Sequence, residues 1–293
     1  MKNVLEINDI YKNYGKIQAL KGVTFCVPKG SVFGVLGPNG SGKTTLLAIL
    51  LDVLQYNSGN YQWIDFSSAT EARKNIGALL ETPNFYHYMS AVDNLQISAK
   101  IKGRGDDDIE RVLKIVNLYE RRNSPFKTFS LGMKQRLAIA AAILGKPDIL
   151  VLDEPTNGLD PVGISEIREL ILQLTKDGMT IIMASHLLDE VEKVCDHVAI
   201  LKKGVLITTG HVSDVLSDQD IIEISSENTS LLSFLQTLPY CKIQREDKFI
   251  HVILSENYSI EQLNQDCMQN QIVLNHIVKK KKSLESKFME MTK

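Results

Sequence analysis

The sequence predicts an α/β core built on a buried parallel sheet, followed by a small α+β domain. Three observations predict it. Residues 37–45 read GPNGSGKTT between two apolar runs, residues 32–36 and 46–51, the pattern of strand, loop and helix. Residues 149–152 read ILVL, the short apolar run of a strand buried on both faces. After Gly210 the composition shifts, and the tail reads strand–helix–strand–strand–helix–strand, a ferredoxin-like order.

At 293 residues the chain is long enough for one large domain and a small one. Hydrophobic residues make up 44%, enough for a sizeable core, and a net charge of −2 gives no general attraction to nucleic acid. Cys26, Cys195, Cys241 and Cys267 are scattered without a CxxC pair. That spacing favours reduced thiols in a cytosolic compartment over a disulfide framework or a zinc site. The opening, MKNVLEINDI, lacks the apolar centre of a signal peptide. No apolar stretch approaches the roughly 18 residues of a transmembrane helix. A membrane role would therefore run through a partner.

Taken in order, residues 4–10 alternate apolar and polar, and Val23, Phe25 and Val27 alternate likewise before the turn at Pro28, Lys29 and Gly30. This opening predicts an antiparallel sheet feeding the strand at 32–36. Tyr14 offers an aromatic face that could stack on a nucleotide base or pack in the core. Residues 37–45 then fit the P-loop pattern: Gly37, four residues, then Gly42, Lys43 and Thr44. Gly37, Pro38, Asn39, Gly40, Ser41 and Gly42 form the loop, its glycines letting successive N–H groups turn inward on a polyphosphate. Thr44 and Thr45 open the next helix, whose free N–H groups and positive dipole end complete the cradle. Lys43 supplies a point charge between the outer phosphates. The Thr44 hydroxyl suits Mg2+, which keeps several waters and takes few protein ligands.

Asn57, Ser58 and Gly59 read as a turn, and Glu81 with Pro83 opens a loop. Residues 92–122 are mainly helical, broken at 103–108, with Val112, Ile115, Val116 and Tyr119 on one face. Residues 129–144, FSLGMKQRLAIAAAIL, predict a helix capped by Ser130 and ended by Gly145 and Pro147. Its start, with Ser130 and Gly132, reads as a second anion site or as an ordinary capped core helix. Asp153 and Glu154 end the apolar run at 149–152. Downstream of a P-loop, Asp153 can hold Mg2+ through water and Glu154 can orient or deprotonate the attacking water; otherwise they are a solvated strand end. Gly158, Leu159 and Asp160 form a loop. Ile164, Ile167, Leu170, Ile171 and Leu174 line a helix face, and residues 180–184 form a strand. His186 follows directly, either structural or placed to reach a γ-phosphate.

Together these stretches resemble the nucleotide-binding subunit of an ATP-binding-cassette (ABC) transporter, over residues 1 to about 215. The ordered motifs are Tyr14, the Walker A stretch 37–45, the signature 129–133, Walker B at 149–154, the D-loop 158–160 and the switch histidine His186. The resemblance implies a P-loop NTPase cassette over 1–217, with a RecA-like core, an antiparallel β-subdomain and a helical subdomain at about 82–146 that meets the membrane partner. Residues 218–293 form the accessory domain. It implies ATP and Mg2+ as cofactors and an ATPase whose catalytic residues are Lys43, Glu154 and His186. Tyr14, the 37–45 loop and Asp160 would serve the nucleotide, and Thr44, Asp153 and Glu81 the metal. Two cassettes would close head to tail, with Ser130 and Gly132 reaching the partner's ATP. The chain would sit in the cytoplasm, held peripherally on the inner face of the membrane by a separate permease.

This chain departs from the family pattern twice. The usual LSGGQ signature reads FSLGM, with Leu131 in place of a glycine, and the loop glutamine is matched by Glu81. The combination ALLETPNFY with SLGMKQRL is similar to the bacitracin- and lantibiotic-resistance branch. That implies export of a peptide antibiotic, drug or similar compound. The rival reading is a soluble ABC protein acting on DNA or the ribosome. Against it stand a single cassette, no long coiled-coil insertion and no basic excess. A P-loop kinase lacks a reason for the signature helix and His186. In the tail, strands are expected at 221–224, 242–245, 249–254 and 272–278, and helices at 230–238 and 260–269. Leu284, Phe288 and Met289 would line a last helix. The lysine run 279–282 reads as a solvated loop or as a contact for anionic lipid.

Overall fold

A computed structural model describes residues 2–80, 84–216, 221–246, 249–255, 258–280, 284 and 288. Two compact units are found, Met1–Val212 and Ser213–Lys293.

The first unit opens with the antiparallel pair β1 (Asn3–Tyr14) and β2 (Ile17–Pro28), then β3 (Val32–Leu36), α1 (Lys43–Leu50) and β4 (Ser58–Trp63). β4 pairs with the other edge of β1, giving a three-stranded sheet of order β2-β1-β4. Next come α2 (Ala69–Asn75), β5 (Ile76–Leu79), α3 (Ala91–Lys102), α4 (Ile109–Ile115), α5 (Leu131–Ile143) and β6 (Ile149–Asp153). They are followed by α6 (Pro161–Lys176), β7 (Thr180–Ser185), α7 (Leu188–Val194), β8 (His197–Lys202) and β9 (Val205–His211); α8 (Val212–Leu216) starts at the boundary and runs into the second unit. A six-stranded sheet has the order β5-β6-β7-β3-β8-β9; all its pairs are parallel except the β8–β9 hairpin. Every residue of β3, β6 and β7 is buried, which is why these strands read as unbroken apolar runs. Leu46, Leu47, Ile49 and Leu50 of α1 share one core with Leu5 and Ile7 of β1, Val27 of β2 and Val151 of β6.

The helical insertion starts where Ser90 and Asp93 make a reciprocal capping box on α3. α5 forms because an Ala- and Leu-rich run follows the Ser130 cap. It stops at Gly145 and Lys146, whose φ values are +76° and +54°, just before Pro147. Asp108 fixes that end, accepting from Gly145 N at 3.0 Å and from Arg111 Nε and Nη2 at 2.5 and 2.7 Å. Burial works to raise the Asp108 carboxyl, and the Arg111 guanidinium and the Gly145 N–H outweigh it, holding it below the usual carboxylate range.

The second unit contains β10 (Ile221–Ser225), α9 (Leu231–Thr237), β11 (Cys241–Glu246), β12 (Ile250–Leu254), α10 (Ile260–Gln269) and β13 (His276–Lys280). Its antiparallel sheet has the order β11-β12-β10-β13. Ile222, Ile224, Val252 and Leu254 meet Leu231, Leu235 and Leu263 in a separate core. On the central strand, Glu223 is 6% exposed, and its two oxygens face His251 Nε2 at 3.0 Å and His276 Nε2 at 3.2 Å.

Four elements differ from the sequence reading. Ser58 and Gly59 begin β4 instead of turning: Gly59 has φ +97°, and a Cβ there would collide with the Asp9 carbonyl, so it is a close-approach glycine. α4 stops at Ile115 because Asn117 takes φ +52°, which leaves Tyr119 in a separate short turn. The strand expected at 272–278 begins at His276, since Ile272 packs into the core near the end of α10. Lys279 and Lys280 end that strand and are not loop; Lys281, Lys282 and Met289 lie outside the described residues. All four cysteines are free thiols. Among the described residues no helix is long and apolar enough to cross a membrane.

Candidate functional site

Strand register assembles the site. Leu36 of β3 lies opposite Ser185 of β7, and Asp153 of β6 opposite Ala184. The strands therefore end at one level, and the next residues, Gly37, Glu154 and His186, emerge together. Glu154 turns sharply, with φ +48°, while its N–H donates to Ala184 O at 3.0 Å. A positive φ is costly for a residue with a Cβ and marks a position the surroundings must hold.

Glu154 stands between the two other polar groups of the site. Its Oε2 lies 2.8 Å from His186 Nδ1 and 3.4 Å from the His186 backbone N–H. Its Oε1 lies 3.4 Å from Lys43 Nζ. Lys43 is 5% exposed and donates to Gly37 O at 2.8 Å and to Pro38 O at 3.3 Å. A buried ammonium must be satisfied, and here the loop's own carbonyls and one carboxylate do it.

The loop glycines are held by the rest of the fold. A Cβ on Gly37 would run into Leu201 O and Ser41 Oγ, and one on Gly42, at φ +105°, would sit 2.7 Å from Ala19 O. The turn between β8 and β9 braces the loop as Gly204 N donates to Ser41 O at 3.0 Å. Pro38, Asn39 and Gly40 form an exposed rim, and Thr44 and Thr45 open α1. α1 has no side-chain cap, so its first N–H groups stay open to a ligand. Ser41 Oγ is buried and has no hydrogen-bond partner among the described residues. Asp153, at the end of β6, is 3% exposed. These features fit a polyphosphate: open N–H donors, a buried cation, an orphaned hydroxyl and glycines with no room for a side chain.

The remaining sequence-predicted residues lie elsewhere. Tyr14 is 47% exposed on the β1–β2 hairpin, with Lys12 Nζ 5.2 Å from its ring centre. Asp160 caps α6, its Oδ1 accepting from Gly163 N at 3.0 Å. Ser130 caps α5, accepting from Met133 N at 3.3 Å, and is exposed. Gly132 has room: a Cβ there would meet only Leu159 Cδ2, at 3.9 Å. Glu81 lies outside the described residues. Sequence reasoning missed the brace from Gly204. Its only trace in the sequence was Gly204, ending a two-residue turn between β8 and β9, where both Lys203 and Gly204 take positive φ.

Comparison with known proteins agrees with this geometry. The family model described as "ABC transporter" matches residues 20–157. A Bacillus subtilis (strain 168) protein described as the uncharacterized ABC transporter ATP-binding protein YhcH is 37% identical, across 100% of this chain and 97% of its own. The chain belongs to the ABC transporter ATP-binding family. A second relative, the bacitracin transport ATP-binding protein BcrA of Bacillus licheniformis, is 42% identical over 71% of this chain and 69% of its own length. The solved ADP conformation of MJ1267, an ATP-binding cassette of an ABC transporter, superposes with a TM-score of 0.68 at 26% identity. It covers 74% of this chain and 96% of that one. This protein is thus the ATP-binding subunit of an ABC transporter, with the cassette fold in its first unit. The 37–45 cradle lies within the segment that the family model matches.

Proposed function

We propose that this cassette hydrolyses ATP to drive a separate permease that exports a peptide antibiotic, drug or similar compound. The observation that carries the hydrolytic reading is Glu154. Its carboxylate is held within 2.8 Å of His186 Nδ1 and 3.4 Å of Lys43 Nζ, at the mouth of a phosphate cradle. Bound ATP supplies the phosphoanhydride, and Mg2+, held by Thr44 and Asp153, would offset charge on its outer oxygens. Lys43 binds and orients the outer phosphates. Glu154 accepts a proton from water at its carboxylate, and His186 keeps that carboxylate aimed.

Two copies close head to tail, each presenting Ser130 and Gly132 to the other's nucleotide. The exposure of Ser130 and the open space above Gly132 support this arrangement. The permease docks on the helical insertion. There a groove of about 360 Å³ is lined by Phe85, Tyr86, Asn94, Ile97 and the 82% exposed Ile101, and the exposed Tyr88 packs edge-on against Tyr86. That docking holds the chain at the inner face of the membrane. The transport cargo is read from the bacitracin transport relative.

The test is Glu154→Gln. The amide keeps the shape and cannot accept the proton, so turnover should fall by about 10²–10⁴-fold, the usual contribution of a general base. ATP binding persists and ATP-bound dimers accumulate on gel filtration. Hydrolysis at the parent rate would remove Glu154 from this role. Copurification with DNA or ribosomes in place of a membrane protein would overturn the transport reading.

A further inference from the structure

The start of α5 and the loop before α6 interlock through two leucines. Leu131, the first residue of α5, places its Cδ2 3.2 Å from where a Cβ on Gly158 would sit. In return, Leu159 places its Cδ2 3.9 Å from where a Cβ on Gly132 would sit. Leu131 thus closes tightly over Gly158, while Leu159 reaches the flank of Gly132 only at ordinary contact distance. Gly158 has φ +74°, and Leu131 already occupies the space that a side chain there would need. The loop is anchored at both ends. Asn157 N donates to Glu154 O at 3.1 Å, and Asp160 caps α6 at 3.0 Å. Between those anchors, Gly158 and Leu159 lie against the Leu131–Gly132 pair. Leu131 is still 49% exposed, an apolar side chain at a helix start that no core requires.

We propose that Leu131 is a positioning residue that fixes the loop 157–160 on the start of its own chain's α5. Ser130, Gly132 and Asp160 then present one rigid surface to the partner cassette. The last clause rests on the head-to-tail dimer reading; the contact itself does not. Removing the Leu131 side chain frees the loop between its anchors without touching the ATP cradle. The surface must then be ordered during closure, which weakens association.

The experiment uses the full chain with Leu131→Ala, Leu159→Ala, the double variant and Leu131→Met. Amide hydrogen exchange of residues 157–160 is read without nucleotide. ATP-driven dimerisation is read in the Glu154→Gln background. Leu131→Ala should speed exchange of the loop by about tenfold, as expected when a local opening becomes easier. Leu131→Met should restore the parent rate. The double variant should be no faster than the faster single, because the two leucines act as one contact. Dimerisation should weaken about threefold to tenfold while the monomer's ATP affinity holds. Unchanged exchange in Leu131→Ala, or strictly additive effects, overturns the proposal. If Glu154→Gln alone gives no ATP-driven dimer, the clause about the partner surface falls with the dimer reading, and the exchange result still decides the contact.

Discussion

The two glycine-bearing helix starts of the cassette, at α1 and at α5, look alike in sequence and differ in the structure. At α1 the glycines answer to their own chain. Gly37 is closed in by Leu201 and Ser41, and Gly42 by Ala19 and Leu20. The helix there has no side-chain cap, and Lys43 is buried beneath the loop. At α5 the helix is capped by its own Ser130, and Gly132 has space above it. Among the described residues nothing requires a glycine at 132. The glycines of the first start are accounted for by contacts within the chain, whereas the second is a capped helix start with room left beside its glycine. That room is the physical argument behind the proposed closure on a second cassette.

The comparison is tested most severely at Lys43. If α1 holds ATP by itself, Lys43→Ala should weaken equilibrium binding of labelled ATP by about 10–100-fold. That follows from hydrogen bonds to charged groups worth about 1.5–3 kcal/mol. Near-parent affinity would break the assignment of the cradle.

A matched pair of alanine substitutions comes next. Gly37→Ala forces a Cβ into the Leu201 carbonyl and should cost about 1–3 kcal/mol of stability, the usual toll of overpacking. Gly132→Ala meets only ordinary contact with Leu159 and replaces glycine inside a helix, so it should leave stability equal or raise it by up to about 1 kcal/mol. Its effect should appear in ATP-driven dimerisation instead. Thermal unfolding and gel filtration of both variants separate the two cases. A Gly132→Ala chain that is destabilised yet dimerises like the parent would make the two glycines equivalent and remove the contrast.

Local patterns were legible in the sequence. The 37–45 stretch names its own strand, loop and helix, and the Ser130 cap and the Gly145 stop followed from residue type. Long-range geometry was not. Glu154 and His186 are 32 positions apart, and only the matched ends of β6 and β7 bring them within 2.8 Å. The positive φ of Glu154 left no mark on the sequence. β5 is only four residues long, too short for its pattern to stand out, and the sequence reading named no strand there. Gly59 looked like a turn because a close approach between strands and a turn both call for glycine. The Asp160 cap, unlike its expected part at the nucleotide, could be seen in the sequence, because Asp followed by Pro161 is a helix-start signal.

That last residue gives the finest test of the comparison. Asp160 and Ser130 are both exposed N-caps, with bonds of 3.0 Å to Gly163 N and 3.3 Å to Met133 N. As caps alone they should behave alike. Losing such a cap typically costs about 1 kcal/mol. The charge of Asp160 also faces the positive end of its helix, which adds a few tenths of a kcal/mol. Asp160→Ala should therefore lower the unfolding free energy by about 1 kcal/mol and Ser130→Ala by about 0.5 kcal/mol. In ATP-driven dimerisation the order should reverse. Ser130 stands two residues from a glycine with room beside it and makes the longer cap bond, whereas Asp160 is held by the shorter bond to Gly163 N. Ser130→Ala should then impair closure more than Asp160→Ala despite its smaller cost in stability, while monomer ATP affinity stays at the parent value in both. Urea unfolding and dimer fractions at saturating ATP, measured on the same preparations, give both orders. If loss of closure simply tracks loss of stability, Ser130 is a cap and nothing more, and the start of α5 needs no second cassette to explain it.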